Sequence, residues 1–145
     1  QPPEATGLGR PPRPDADPVA SVRTILAAAL RRARAAGILD ERVVLDPGIG
    51  FFRDETVPWP DWDVTVLARL DELADLGRPL GVGVSRKSFL GALTGAAGPE
   101  GRLAGSLAAA AVAVLHGAAL VRTHDVAETR DAVRVAEQIR KASVR

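Results

Sequence analysis

Leu80-Gly81-Val82-Gly83-Val84, followed at once by Ser85-Arg86-Lys87-Ser88, is the stretch on which the fold turns. A short apolar run that includes Val82 and Val84 reads as a buried strand. The polar tetrad then marks its carboxyl end. Outward from it, the same unit recurs on both sides. Upstream, Val43-Val44-Leu45 is a second strand, running into Asp46-Pro47-Gly48-Ile49-Gly50-Phe51. A helix from about 63 to 76 (Val66, Leu67, Leu70, Leu73, Ala74) joins the two and closes at Gly77 and Pro79. Downstream, a Gly-rich loop (91–101) leads to a helix from about 102 to 116, with Leu103, Leu107, Ala111, Val114 and Leu115 on one side. Ala119-Leu120-Val121-Arg122 is the third strand. After His124, Asp125 with Glu128 forms a capping box for a last helix whose inner stripe is Val133, Ala136 and Ile139. An opening helix has Asp17 as N-cap and Pro18 first, then Val19, Val22, Leu26, Ala29, Leu30 and Ala33 at helical spacing up to Gly37.

Leu45 lies 39 positions before Val84, and Val84 lies 38 before Arg122. Even spacing, continuous apolar strands and alternating helices predict an α/β fold with parallel strands and right-handed crossovers. A doubly wound sheet and part of a (β/α)₈ barrel both fit. A complete barrel takes about 250 residues, so this chain would supply its last three units. Residues 1–18, rich in proline, read as a loop or linker, and 19–145 as the folded part.

The 145 residues are 46% hydrophobic and 26% charged, the balance of a globular domain. Net charge is +1, which gives nucleic acid or a membrane surface no electrostatic hold. Without cysteine, disulfides, thiolate metal sites and a Cys nucleophile are excluded. No apolar run approaches the roughly 20 residues of a spanning helix, and a cytoplasmic location is expected. The chain opens at Gln1 and holds no methionine, so a piece of a longer protein is expected. Lys87 and Lys141 are the only lysines among many arginines, and His116 and His124 the only histidines.

Ligands of parallel α/β folds sit at the carboxyl ends of the strands. Here those ends carry Asp46, then Ser85-Arg86-Lys87-Ser88, then Arg122-Thr123-His124-Asp125. Arg122 and His124, two apart in an extended segment, point the same way. A carboxylate suits paired N–H donors on a flat heterocycle, and Arg122 with His124 suits phosphate oxygens. Lys87 is a compact charge for a carbonyl or phosphate. Each also has a plainer reading. Asp46 before Pro-Gly could be a turn residue. The Ser85–Ser88 run could be a solvated strand end. Arg122 could be a buried structural ion pair. Asp125 could be a cap, His116 a helix end, and Trp59 and Trp62 packing or lid residues. No Gly-x-Ser-x-Gly elbow or dinucleotide fingerprint is present.

Taken in order, Asp46-Pro47-Gly48-Ile49-Gly50-Phe51, Ser85-Arg86-Lys87-Ser88-Phe89-Leu90-Gly91, Arg102 with Gly105-Ser106, and Arg122-Thr123-His124-Asp125-Val126 resemble the dihydropteroate synthase family over about residues 19–140. The resemblance implies the sixth, seventh and eighth strands of a (β/α)₈ TIM barrel, preceded by its fifth helix. It implies condensation of 6-hydroxymethyl-7,8-dihydropterin diphosphate with 4-aminobenzoate in folate biosynthesis, with Mg²⁺ whose protein ligand lies outside this chain. By the same resemblance Asp46 would hold the pterin ring, and Lys87 would reach the pterin and border the aminobenzoate site. Ser88 and Phe51 would line that second site, and Arg122 and His124 would bind diphosphate. Gly83 and Ser85 are counted among the substrate-binding residues, and Lys87, Arg122 and His124 as catalytic. A homodimer is implied for the full-length protein. Gly50-Phe51-Phe52-Arg53 and the tryptophan-bearing loop depart from the usual Gly-Phe-Gly-Lys pattern.

Two other readings compete. One is a related pterin-binding methyltransferase acting with a corrinoid partner, against which the Ser85–Ser88 tetrad and the Arg122/His124 pair stand. The other is a non-catalytic half barrel that binds a partner through exposed helices.

Overall fold

The computed structural model describes residues 17–52 and 57–144, so the proline-rich opening to residue 16 lies outside the described residues. Helix α1 (Pro18–Ala35) begins one residue inside the segment predicted as linker. The Asp17 carboxylate accepts the Val19 N–H at 3.4 Å, and Val19, Val22, Leu26 and Leu30 form the buried stripe. Asp17 also takes the Arg69 guanidinium on both oxygens, at 2.6 and 2.9 Å, which holds its carboxyl below the usual range.

The first expected strand shortens to one bridge. Leu45 pairs in parallel with Leu80, its N–H donating to Pro79 and its carbonyl accepting from Gly81. Val44 is 49% exposed instead of buried, because its other flank has no neighbour among the described residues. Strand β1 (Leu80–Gly83) is buried throughout and pairs in parallel with β2 (Ala118–Arg122), Gly83 opposite Arg122. Strand β2 is an edge among the described residues, and Leu120 is 52% exposed.

The helix expected over 63–76 divides. Helix α2 (Asp61–Ala68) gives way to a 3₁₀ run (Leu70–Leu76). The tighter winding stacks residues three apart, which puts Leu70 and Leu73 together in the core with Leu76 packed behind. The expected loop 91–101 instead begins inside helix α3 (Ser88–Thr94), which buries Phe89 and Leu90 and stops at left-handed Gly95. A 3₁₀ turn (Pro99–Arg102) leads into α4 (Leu103–Leu115). The inner face of α4 is Ser106, Ala109, Ala110, Ala113 and Val114, while Leu103 and Leu115 point outward. A helix apolar on every side carries no polarity by which its buried face can be chosen. In α5 (Val126–Ser143) Thr129 and Ala136 are buried, but Ile139 is exposed.

The result is an α/β layer in which Leu45, β1 and β2 run parallel. The core holds α1, α2 and α4 against the strands, with Trp62 inside it and Trp59 exposed. No helix among the described residues is long and apolar enough to cross a membrane.

Candidate active site at the carboxyl ends of the strands

The tetrad after β1 is fixed from several sides. Arg86 has φ +58°, a left-handed conformation that costs a non-glycine residue on the order of 1 kcal/mol. Its N–H donates to Ser106 Oγ at 2.9 Å, and its carbonyl accepts from Arg102 Nη1 at 2.9 Å. Ser106 Oγ in turn donates to the Arg102 carbonyl at 2.7 Å. The Arg86 guanidinium spans both oxygens of Asp125, at 2.9 and 3.3 Å. Asp125 stands at the predicted N-cap position of α5, but its carboxylate is turned to Arg86 and its side chain makes no capping bond, so the predicted capping box does not form. The paired guanidinium holds the Asp125 carboxyl below the usual carboxylate range.

This clamp sets the residues on either side of it. Lys87 follows Arg86, and His124 precedes Asp125. Buried Ser85 accepts the His124 backbone N–H at 3.2 Å and meets His124 Nδ1 at 2.9 Å. When the hydroxyl donates to Nδ1, the ring proton sits on Nε2, a donor available to an anion. Arg122 is exposed at the end of β2, not buried in an ion pair as an apolar strand suggests. Its guanidinium lies across Gly83, where an added Cβ would stand 2.9 Å from Nη2. A glycine at 83 is what allows that close approach.

Phe51, Ser85, Arg86, Lys87, Pro99, Arg122, Thr123 and His124 line one open cleft of about 600 Å³. Asp46 lines an adjoining apolar cleft of about 520 Å³ with Val22, Leu45 and Phe52. Phe51 and Arg122 wall both clefts. Asp46 makes the turn of its plainer reading, its Oδ1 accepting the Gly48 N–H at 2.8 Å, while it lines the apolar cleft. Ser88 opens α3 and lines neither cleft, and Gly83 takes part by making room for Arg122.

Phe51 is 70% exposed, and Lys87 Nζ stands 4.5 Å from its ring centroid. That is cation–π distance, and it draws the ammonium across the aromatic wall. Periodicity did not single out Asp63. It is 1% exposed in the first turn of α2 and accepts the Gly50 N–H at 3.0 Å. Its place in an apolar helical run hid it; an acid at a position that must face the core was the available signal.

One cleft thus gathers an ammonium, a guanidinium and an imidazole beside an aromatic ring, with a carboxylate next door. Such a set can neutralise a polyanion and hold a flat heterocycle. The implied Mg²⁺ finds no cage here: the cleft presents cationic donors, and no three acidic or imidazole side chains converge among the described residues.

Comparison with known proteins gives this arrangement relatives. The family model for pterin binding enzymes matches residues 9–124. The dihydropteroate synthase of Escherichia coli K12 is 42% identical over 121 residues, 83% of this chain and 41% of that protein. That of Neisseria meningitidis serogroup B is 42% identical over 124 residues, 85% of this chain and 42% of its own. Among solved structures, a Coxiella burnetii dihydropteroate synthase in complex with pteroic acid superposes with a TM-score of 0.82 at 34% identity. It matches 94% of this chain and 49% of that one. A Xanthomonas albilineans dihydropteroate synthase with 4-aminobenzoic acid gives 0.80 at 41% identity, with 94% and 49% covered. The chain spans about two fifths of the length of these curated relatives. By the extent of the family match, and with the strand-end residues gathered as described, the chain belongs to the pterin binding enzyme family.

Proposed function

We propose that this chain is the C-terminal part of a dihydropteroate synthase, joining 6-hydroxymethyl-7,8-dihydropterin diphosphate to 4-aminobenzoate. The observation that carries the reading is the single cleft where Lys87, Arg122 and His124 meet beside Phe51, with Asp46 across the shared wall. The arylamine nitrogen attacks the pterin methylene carbon, the C–O bond to diphosphate breaks, and the amine gives up a proton. Charge grows on the departing diphosphate, so preorganised donors at its oxygens lower the barrier. Arg122 and His124 serve there. An uncharged arylamine is already nucleophilic, and the cleft correspondingly offers cations rather than a base. Asp46 would take the paired N–H groups of the pterin, Lys87 would border both substrates, and Phe51 would face the aryl ring.

The finer fold belongs to the same reading. Leu45 and β2 each leave one edge unpaired among the described residues, as in a barrel cut at two places. Three parallel units plus the remaining length of the relatives make a (β/α)₈ barrel. Mg²⁺ is then held by residues outside this segment. A homodimer is supported by α4, whose Val112 borders an apolar groove of about 350 Å³ with Val64, Leu67, Phe89 and Leu93. Sedimentation of the full-length protein checks the pairing, and fractionation its expected cytoplasmic location.

The deciding experiment expresses this segment with its upstream coding sequence, supplies both substrates and measures dihydropteroate. Turnover is expected, and Lys87→Ala or Arg122→Ala cuts it by roughly a hundredfold or more. Normal turnover in both variants rejects the assignment. The half-barrel reading draws on the same two open edges. It is favoured if the folded chain binds no pterin diphosphate by calorimetry.

A further inference from the structure

The loop after Leu45 carries two residues of the clefts, Asp46 and Phe51, and its backbone bonds can be followed one by one. The Gly48 N–H goes to Asp46 Oδ1 at 2.8 Å, and the Phe51 N–H goes to the Gly48 carbonyl at 3.0 Å. The Gly50 N–H goes to Asp63 Oδ1 at 3.0 Å. The first two bonds stay within the loop. Among the described residues, only the third ties these donors to the body of the protein, and its acceptor is 1% exposed. Ile49 is buried beside it, so the chain dips at 49–50 and throws Phe51 outward. Gly50 has φ +85°, and an added Cβ there would stand 3.1 Å from Lys87 Cδ. The place of Gly50 therefore sets how the Lys87 stem passes the loop and where its ammonium meets the Phe51 ring. Asp63 sits in the first turn of α2, where the helix field favours a carboxylate, and α2 is packed into the core through Trp62 and Val66.

We propose that Asp63 is a positioning residue for the arylamine side of the site, acting through Gly50 to hold Phe51 and Lys87 in contact. The idea rests on the function proposed above. It goes beyond that function in assigning the aromatic wall's placement to a buried acid that touches no substrate. Losing a buried acceptor of this kind exposes the loop to alternative conformations. The effect falls most on the substrate that meets Phe51, because the other is held also by Arg122 and His124, which this loop does not carry.

The test uses Asp63→Ala and Asp63→Asn in two settings. In isotope-labelled protein, the Gly50 amide is expected to exchange roughly tenfold faster in Asp63→Ala than in the parent. The Lys87 ε-methylene protons lose their ring-current shift in the same variant. Asp63→Asn keeps an oxygen acceptor and restores both. In the active protein, Asp63→Ala raises the KM for 4-aminobenzoate roughly tenfold, while the pterin diphosphate KM and kcat change less than about threefold. Asp63→Asn stays near the parent. Equal rises in both KM values, or an Asp63→Asn variant as damaged as Asp63→Ala, overturn the proposal. If Asp63→Ala does not fold, the Gly50 amide shift in Asp63→Asn decides. A change on replacing the charged acceptor by a neutral one supports the bond, and an unchanged shift removes it. The amide readouts need no turnover. Their failure removes the role of Asp63 and leaves the function standing, whereas a parent protein without turnover removes the function and leaves the bond.

Discussion

On the β2 side of β1, the rim is cross-braced: Arg86 to Asp125, Arg102 and Ser106, and His124 to Ser85, each bond joining two different elements. On the Leu45 side, the hydrogen bonds of the loop bearing Asp46 and Phe51 run within its own turns and to Asp63, buried Ile49 adds its hold on the core, and Val44 beside it is exposed. The half with Lys87, Arg122 and His124 is thus braced by residues of this chain. The half with the carboxylate and the aromatic ring is held, among the described residues, by fewer such bonds.

The contrast can be broken most directly at Arg122. Its replacement by alanine is expected to cost roughly a hundredfold in turnover and to weaken inorganic diphosphate binding to the folded chain, measured by calorimetry. Unchanged diphosphate affinity would show that the braced side is not an anion site. Stability offers the next contrast. Val82→Ala, in the fully buried strand, should cost roughly 2 kcal/mol from lost methyl burial and the cavity left behind. Val44→Ala on the open flank should stay within about 0.5 kcal/mol. Denaturant titration of both variants reads the difference, and equal losses would mean that Val44 is covered in solution.

A gentler probe is Gly83→Ala. Its methyl group meets the tip of a flexible side chain, so the melting temperature should hold while diphosphate affinity drops severalfold. The smallest effect concerns acid. Because Arg86 depresses the Asp125 carboxyl, the pair's contribution is complete above the ordinary carboxylate pKa of 3.8. It disappears as pH falls through the lower value of the folded state. Carboxyl-carbon resonances should show Asp125 titrating below 3.8, and Arg86→Ala should move the midpoint up. A midpoint that ignores Arg86 would dissolve the brace.

What could be read from the letters follows the same division. Strand ends announce themselves through apolar runs that stop at polar residues, so Asp46, the Ser85–Ser88 tetrad and the Arg122–Asp125 run were all visible as rim positions. Their partners were not. Whether Asp125 caps α5 or pairs with Arg86 depends on a residue 39 positions away, and local patterns favour the nearer choice. Helix α3 was hidden by its glycine-rich surroundings, and the inner face of α4 by its lack of any polar mark. Ile139 and Leu120 were expected inside because sequence periodicity assumes a covered neighbour, which neither has among the described residues. Asp63 went unseen because periodicity reports which way a residue faces and says nothing of the amide waiting there.

The flanks of Leu45 and β2 that meet no strand among the described residues have a practical corollary. Each presents backbone donors and acceptors beside exposed apolar side chains, the arrangement by which strands recruit strands from other molecules. Preparations of this segment by itself should grow into larger assemblies as concentration rises, and a peptide able to cap either margin should slow that growth.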